Sequence, residues 1–142
     1  MCCGTVLARG EVAGVAVGDP SVHLDLDPTP AAARAARAFV ADQVGGLDPD
    51  TAYAAAVCAS ELVTNGVLHA RTAIVLGVTL GARRLLVTVA DRSTGRPSPP
   101  PPDDERPSGR GLVLVEALAD QWGVDDGDDG KTVWFTVART GT

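Results

Sequence analysis

From Ser21 to Asp27 apolar and polar residues alternate, with Val22, Leu24 and Leu26 on one side and His23, Asp25 and Asp27 on the other. A period of two predicts a half-buried strand. After the breaker Asp27-Pro-Thr-Pro30, an alanine-rich run from Ala31 to about Val44 predicts a helix. Thr29 is its expected N-cap and Pro30 its first residue, with Ala35, Ala38, Phe39 and Val44 as the expected inner face. Gly45-Gly46 end it, and Asp48-Pro-Asp50 caps a second, longer helix that reaches about Ala70. Thr72–Leu80 and Arg84–Ala90 are apolar, β-branched runs joined at Gly81-Ala82, so they read as a hairpin, with Asp91 at the end of its second strand. Gly111–Ala119 predicts a short helix, and Trp122-Gly-Val124 opens a strand. An acidic turn, Asp125–Gly130, leads to a closing strand, Thr132–Ala138, which sets Val133, Phe135 and Val137 against Thr132, Trp134 and Thr136. The order β-α-α-β-β-loop-α-β-β predicts an α+β fold: a two-layer sandwich of a mixed, mostly antiparallel sheet with helices on one face.

Two stretches stand outside this pattern. Residues 1–19 are rich in Gly, Ala and Val without a period and are expected to form a flexible leader; 20–142 form one domain. From Arg92 to Arg110 there is no aliphatic or aromatic side chain, and Pro99–Pro102 favour extended polyproline geometry. A connection of this length is expected to be a lid, a binding loop or a disordered segment.

Composition narrows the function classes. The 142 residues carry a net charge of −6, which argues against a general nucleic-acid binder. Aromatics are only 4%, so the core must be built from Ala, Val and Leu. Three cysteines, two of them adjacent at Cys2-Cys3, make neither a disulfide framework nor a zinc site, and a reducing cytoplasm is expected. There is no signal-peptide pattern, and no run reaches the roughly eighteen apolar residues of a membrane-crossing helix.

The chemistry-bearing residues centre on Glu61-Leu-Val-Thr-Asn-Gly-Val-Leu-His69, in the second half of the long helix. Glu61, Asn65 and His69 recur at i, i+4 and i+8 and so share one side. Such a stripe is either a solvated face or the wall of a site. Gly109-Arg-Gly111 is not a dinucleotide fingerprint, because Leu114 stands where a third glycine is needed. Gly130-Lys-Thr132 is not a P-loop, because Asp125 occupies the position of its first glycine and a strand follows. The acidic turn lacks the ligand spacing of a calcium loop.

Four elements remain in order: Glu61-x-x-x-Asn65, Asp91-x-Ser93-x-x-x-Pro97, Gly109-x-Gly111-Leu112 and Gly130-Lys-Thr132. Together they resemble the nucleotide-binding set of the GHKL ATPase/kinase superfamily, the Bergerat fold. Glu61–Ala70, Gly109–Gly123 and Gly130–Phe135 are similar in wording to its anti-sigma-factor serine/threonine kinase branch. The resemblance spans about residues 20 to 139. It implies an ATP/ADP site with Mg2+, in which Asn65 ligates the metal and Glu61 orients or deprotonates the attacking hydroxyl. It assigns Asp91 to the adenine amino group, with Ser93 and Pro97 completing that motif, and Thr132 to the same end of the nucleotide. Gly109, Arg110, Gly111 and Leu112 would lie along the phosphates. By the same resemblance the partners are a sigma factor and an anti-anti-sigma protein that is phosphorylated, and a homodimer is allowed. The alternative is a module of the same fold that acts only through protein–protein contact.

Overall fold

The computed structural model describes residues 19–69, 72–92, 107–127 and 130–139. Five strands form one sheet: β1 (Ser21–Leu26), β2 (Ile74–Leu80), β3 (Arg84–Asp91), β4 (Gln121–Gly127) and β5 (Gly130–Ala138). Their order across the sheet is β1-β2-β3-β5-β4, and every pairing is antiparallel, which carries the expected mixed, mostly antiparallel sheet to its fully antiparallel limit. Three helices, α1 (Ala32–Gln43), α2 (Pro49–His69) and α3 (Pro107–Leu118), complete the described fold.

Strand alternation decides what the sheet buries. Leu26, Ile74, Leu76, Val78, Leu85, Val87, Val89, Phe135 and Val137 all join the main core with the buried residues of the helices. On the other face Leu86 and Trp134 form a small separate cluster.

α1 is anchored by Ala32, Ala36, Val40 and Val44, all buried, rather than by Ala35 and Ala38, which are exposed. An alanine-rich helix offers several faces of the same period, and only packing chooses among them. Nor does Thr29 cap α1 with its side chain: the cap residue is Ala31, and the Thr29 carbonyl accepts the Ala32 amide at 2.9 Å.

α2 is the central helix. Ala54, Ala55, Ala56, Cys58, Ala59, Leu62 and Val63 are buried around much of its circumference. It lies on the sheet between α1 and α3, so it has little free surface for a polar face. Asp48 caps it, accepting from the Thr51 amide at 3.1 Å and the Thr51 hydroxyl at 3.2 Å.

α3 begins at Pro107, four residues before the expected start, and Pro at a first helical position has no amide to leave unpaired. Among the described residues no helix is long and apolar enough to cross a membrane.

Candidate nucleotide site

Two contacts fix how α2 lies on the sheet. Near its start the Thr51 hydroxyl, whose one hydrogen is shared between the Asp48 carboxylate and this acceptor, stands 3.1 Å from the carbonyl of Ala138, the last residue of β5. Near its end Gly66 packs on Ile74, the first residue of β2: a Cβ added to Gly66 would stand 3.2 Å from Ile74 Cδ1. The absent side chain is what lets helix and sheet approach there. α2 therefore runs toward the end of the sheet where β2 begins.

The register identifies what else lies at that end. Ile74 pairs with Asp91, and Asp91 pairs with Lys131. Asn65, beside Gly66 in the chain, thus belongs to the same end of the molecule as Asp91, although 26 positions separate them. Both are half-buried, as is Glu61 one turn before Asn65. Thr72 ties the exit of β3 in place by accepting the Arg92 amide at 3.0 Å.

The other flank is α3. The Cys58 thiol points at the Leu114 carbonyl oxygen at 4.0 Å, so the Cys58–Glu61–Asn65 side of α2 looks toward α3. Burial, and then the nearby negative charge of Glu61, raise the Cys58 thiol from its ordinary value of 9.0 to about 12. Both causes penalise the thiolate. Cys58 is a packed neutral thiol beside the site rather than a nucleophile in it.

Gly130 has φ +148°, in the region that disfavours side chains, and any Cβ there would collide with the Asp91 carbonyl oxygen and approach Arg92 Cα to 3.0 Å. A glycine at this position is required for β5 to meet the end of β3.

The structure brings Glu61, Asn65 and Asp91 to one end of the sandwich. Gly109, Arg110, Gly111 and Leu112 lie in the first turns of α3, inside the helix rather than before it. Gly111 is one turn from Leu114, hence close along α3 to the Cys58 contact. Ser93 and Pro97 lie outside the described residues, as does most of the segment from 92 to 110 and nearly all of the expected leader. Thr132 is placed apart from the others: it pairs with Ala90 and Asp125 on the opposite face of the sheet from Asp91. The residue of β5 that shares the face of Asp91 is Lys131. The signal was present in the sequence, since the alternation that groups Thr132 with Trp134 also groups Lys131 with Val133 and Phe135.

The donor chemistry suits Mg2+ held with a phosphate. Asn65 and Glu61 supply hard oxygens one turn apart, and among the described residues there is no cluster of three or more His, Cys, Asp or Glu to form an all-protein cage. Mg2+ is commonly bound in this way, through one or two protein oxygens plus substrate phosphates.

Residues 24–137 match the family model of the histidine kinase-like ATPase domain. The chain belongs to that family. It is also similar to the crystal structure of the RsbU and RsbW domains of Rv1364c from Mycobacterium tuberculosis, with a TM-score of 0.65 and 27% sequence identity. That similarity covers 84% of this chain and 32% of the other, so the chain spans about a third of that protein's length. No curated protein matches. A histidine kinase-like ATPase domain implies nucleotide binding.

Proposed function

We propose that this domain binds Mg-ATP at the end of the sandwich where Asn65, Asp91 and Glu61 meet, and transfers the terminal phosphate to a serine or threonine of a small anti-anti-sigma partner. The observation that supports the reading is the contact of α2 with the sheet at Gly66–Ile74, which brings the turn of α2 that holds Asn65 to the end of the sheet that holds Asp91, in a chain of this family.

Asp91, at the strand end, accepts from the adenine amino group. Asn65 presents its amide oxygen toward the metal, and bound Mg2+ supplies charge neutralisation at the phosphates. Glu61, one turn away, holds the attacking hydroxyl as base or orienter. The first turn of α3, at Gly109, offers backbone N–H groups to phosphate oxygens, and Gly111 lets the ligand approach the next turn closely. Most of the rate enhancement comes from position and electrostatics, because phosphoryl transfer asks for little covalent chemistry from the protein. By the same reading the domain sequesters a sigma factor, and a homodimer is compatible with it.

A second reading, nucleotide-dependent binding without transfer, is favoured by α3, where Val113 and Leu114 are 64% and 37% exposed beside the site. Titration calorimetry with ATP and ADP, with and without Mg2+, tests the site; Asn65→Ala should weaken binding mainly when Mg2+ is present. Glu61→Gln separates the two readings. It should keep nucleotide affinity and abolish phosphate transfer to an anti-anti-sigma substrate, whereas a pure binding module shows no transfer before or after the substitution.

A further inference from the structure

The sheet packs its helices on one face: the buried residues of α1, α2 and α3 share a core with Leu26, Val87 and Phe135. The other face of an antiparallel sheet is commonly polar and solvated. Yet Leu86, Trp134 and Thr136, which lie on that other face, are only 7%, 4% and 0% exposed. The Trp134 ring lies over Gly123, where a Cβ would stand 2.8 Å from its Cζ2, so one side of the ring rests on the β4 backbone. On an open sheet face its other side would meet water. Trp134 Nε1 and Thr136 Oγ1 are both buried without a hydrogen-bond partner, whereas water would serve them on a solvated face. A single chain thus shields this patch, and among the described residues no helix lies on that side.

The register shows which segment is at hand. Ser21 pairs with Thr79, Thr79 with Leu86, Leu86 with Thr136 and Thr136 with Gln121, so one row crosses the whole sheet from the first residue of β1. The Ser21 and Thr79 hydroxyls, 2.8 Å apart, lie on the same face as Leu86. Residues 1–18 join the domain at that row. Strands about 4.8 Å apart put Thr136 about 14 Å from Ser21, a span of about five extended residues. This segment carries Val6, Leu7, Val12, Val15 and Val17 against two charged side chains, Arg9 and Glu11. The rival segments fit less well. Residues 93–106 follow β3 at the opposite end of the strands and have no aliphatic or aromatic side chain, and residues 140–142 are only Thr-Gly-Thr.

We propose that the outer face of the sheet is a docking site for the chain's own residues 12–17, whose valines pack on Leu86 and Trp134. The driving force is removal of the Trp134 and Leu86 surface from water. The face is then closed within the chain and is not the surface that a partner or a second copy meets.

The test reads Trp134 in the full chain. The sequence holds two tryptophans, so Trp122→Phe leaves Trp134 as the one reporter, and acrylamide quenching with emission wavelength measures its access to water. The expected result is quenching several-fold below that of free tryptophan and unchanged on dilution. Val12→Ser, Val15→Ser and Val17→Ser together, in the same background, should raise quenching several-fold and shift emission to the red, with far-UV circular dichroism unchanged. If that chain loses its helical signal, Val12→Ala, Val15→Ala and Val17→Ala together make the same comparison with a milder change. Trp134 as open as free tryptophan before any valine is replaced overturns the proposal, as does shielding that the valine substitutions leave intact. Shielding that fades on dilution assigns the face to a second copy and overturns it equally.

Discussion

Cys58 and Thr136 are two buried side chains whose chemistry has opposite consequences for stability. The folded protein holds the Cys58 proton to about 12, whereas an unfolded chain releases it near 9.0. Above pH 9 the unfolded state therefore binds fewer protons than the native state, and stability falls as pH rises, by at most about 1.4 kcal/mol per unit, until the native thiol also ionises. Below pH 9 the term is constant. Urea unfolding of wild type and Cys58→Ala at about pH 8 and about pH 10.5 should show the excess loss in wild type alone. Thr136 is fully buried and its hydroxyl has no hydrogen-bond partner. Valine preserves the β-branched shape that suits a strand and removes the unsatisfied oxygen. Thr136→Val should raise stability by about 1 kcal/mol in the same assay.

Among the elements, the junction of β3 and β5 is the least tolerant of change. β5 begins at a residue whose φ of +148° and contact with the Asp91 carbonyl exclude a side chain. Gly130→Ala should cost about 2 kcal/mol in unfolding free energy, through strain that a nearby loop cannot relieve without moving Asp91. It should also weaken ADP binding, because Asp91 is set by that junction; calorimetry and a denaturant melt on the same variant read the two effects separately. α2 meets a milder demand at Gly66, where the obstructing group is the tip of the flexible Ile74 side chain rather than backbone. The two glycines thus hold the helix and the strand pair at the distances the site needs, and the rigid backbone contact is the stricter of the two.

For the whole molecule, the decisive property of the proposed site is that it draws on several elements at one end of the sandwich. Residues of α2, β2, β3 and β5 converge there, so a nucleotide held at the proposed site would contact several elements of the native state and none of their arrangement in the unfolded chain. Binding to the native state alone raises stability by about 2.7 kcal/mol at a hundred times the Kd. Mg-ATP should therefore raise the melting temperature of wild type, and the added effect of Mg2+ should be lost in Asn65→Ala. The acidic balance of −6 has a further consequence: association with a nucleotide should depend strongly on salt, through local cations working against the global field.

The sequence by itself determined the number and order of the elements, because alternation in Val22–Leu26 and Val133–Val137 and the caps at Asp48 and Gly45-Gly46 are local signals. It also named Glu61, Asn65 and Asp91 as candidates, through a family resemblance whose motifs can be read without coordinates. The inner face of α1 was not legible, because an alanine run presents several equivalent stripes and the sheet beneath selects Ala36 and Val40. That α3 packs beside the Cys58 side of α2, a contact between residues 56 positions apart, was not legible either. That Lys131 rather than Thr132 shares the face of Asp91 depended on the pairing of β3 with β5, which only the fold brings together. Local pattern therefore named the elements and most of the motif, and tertiary packing decided which side chains of those elements face one another.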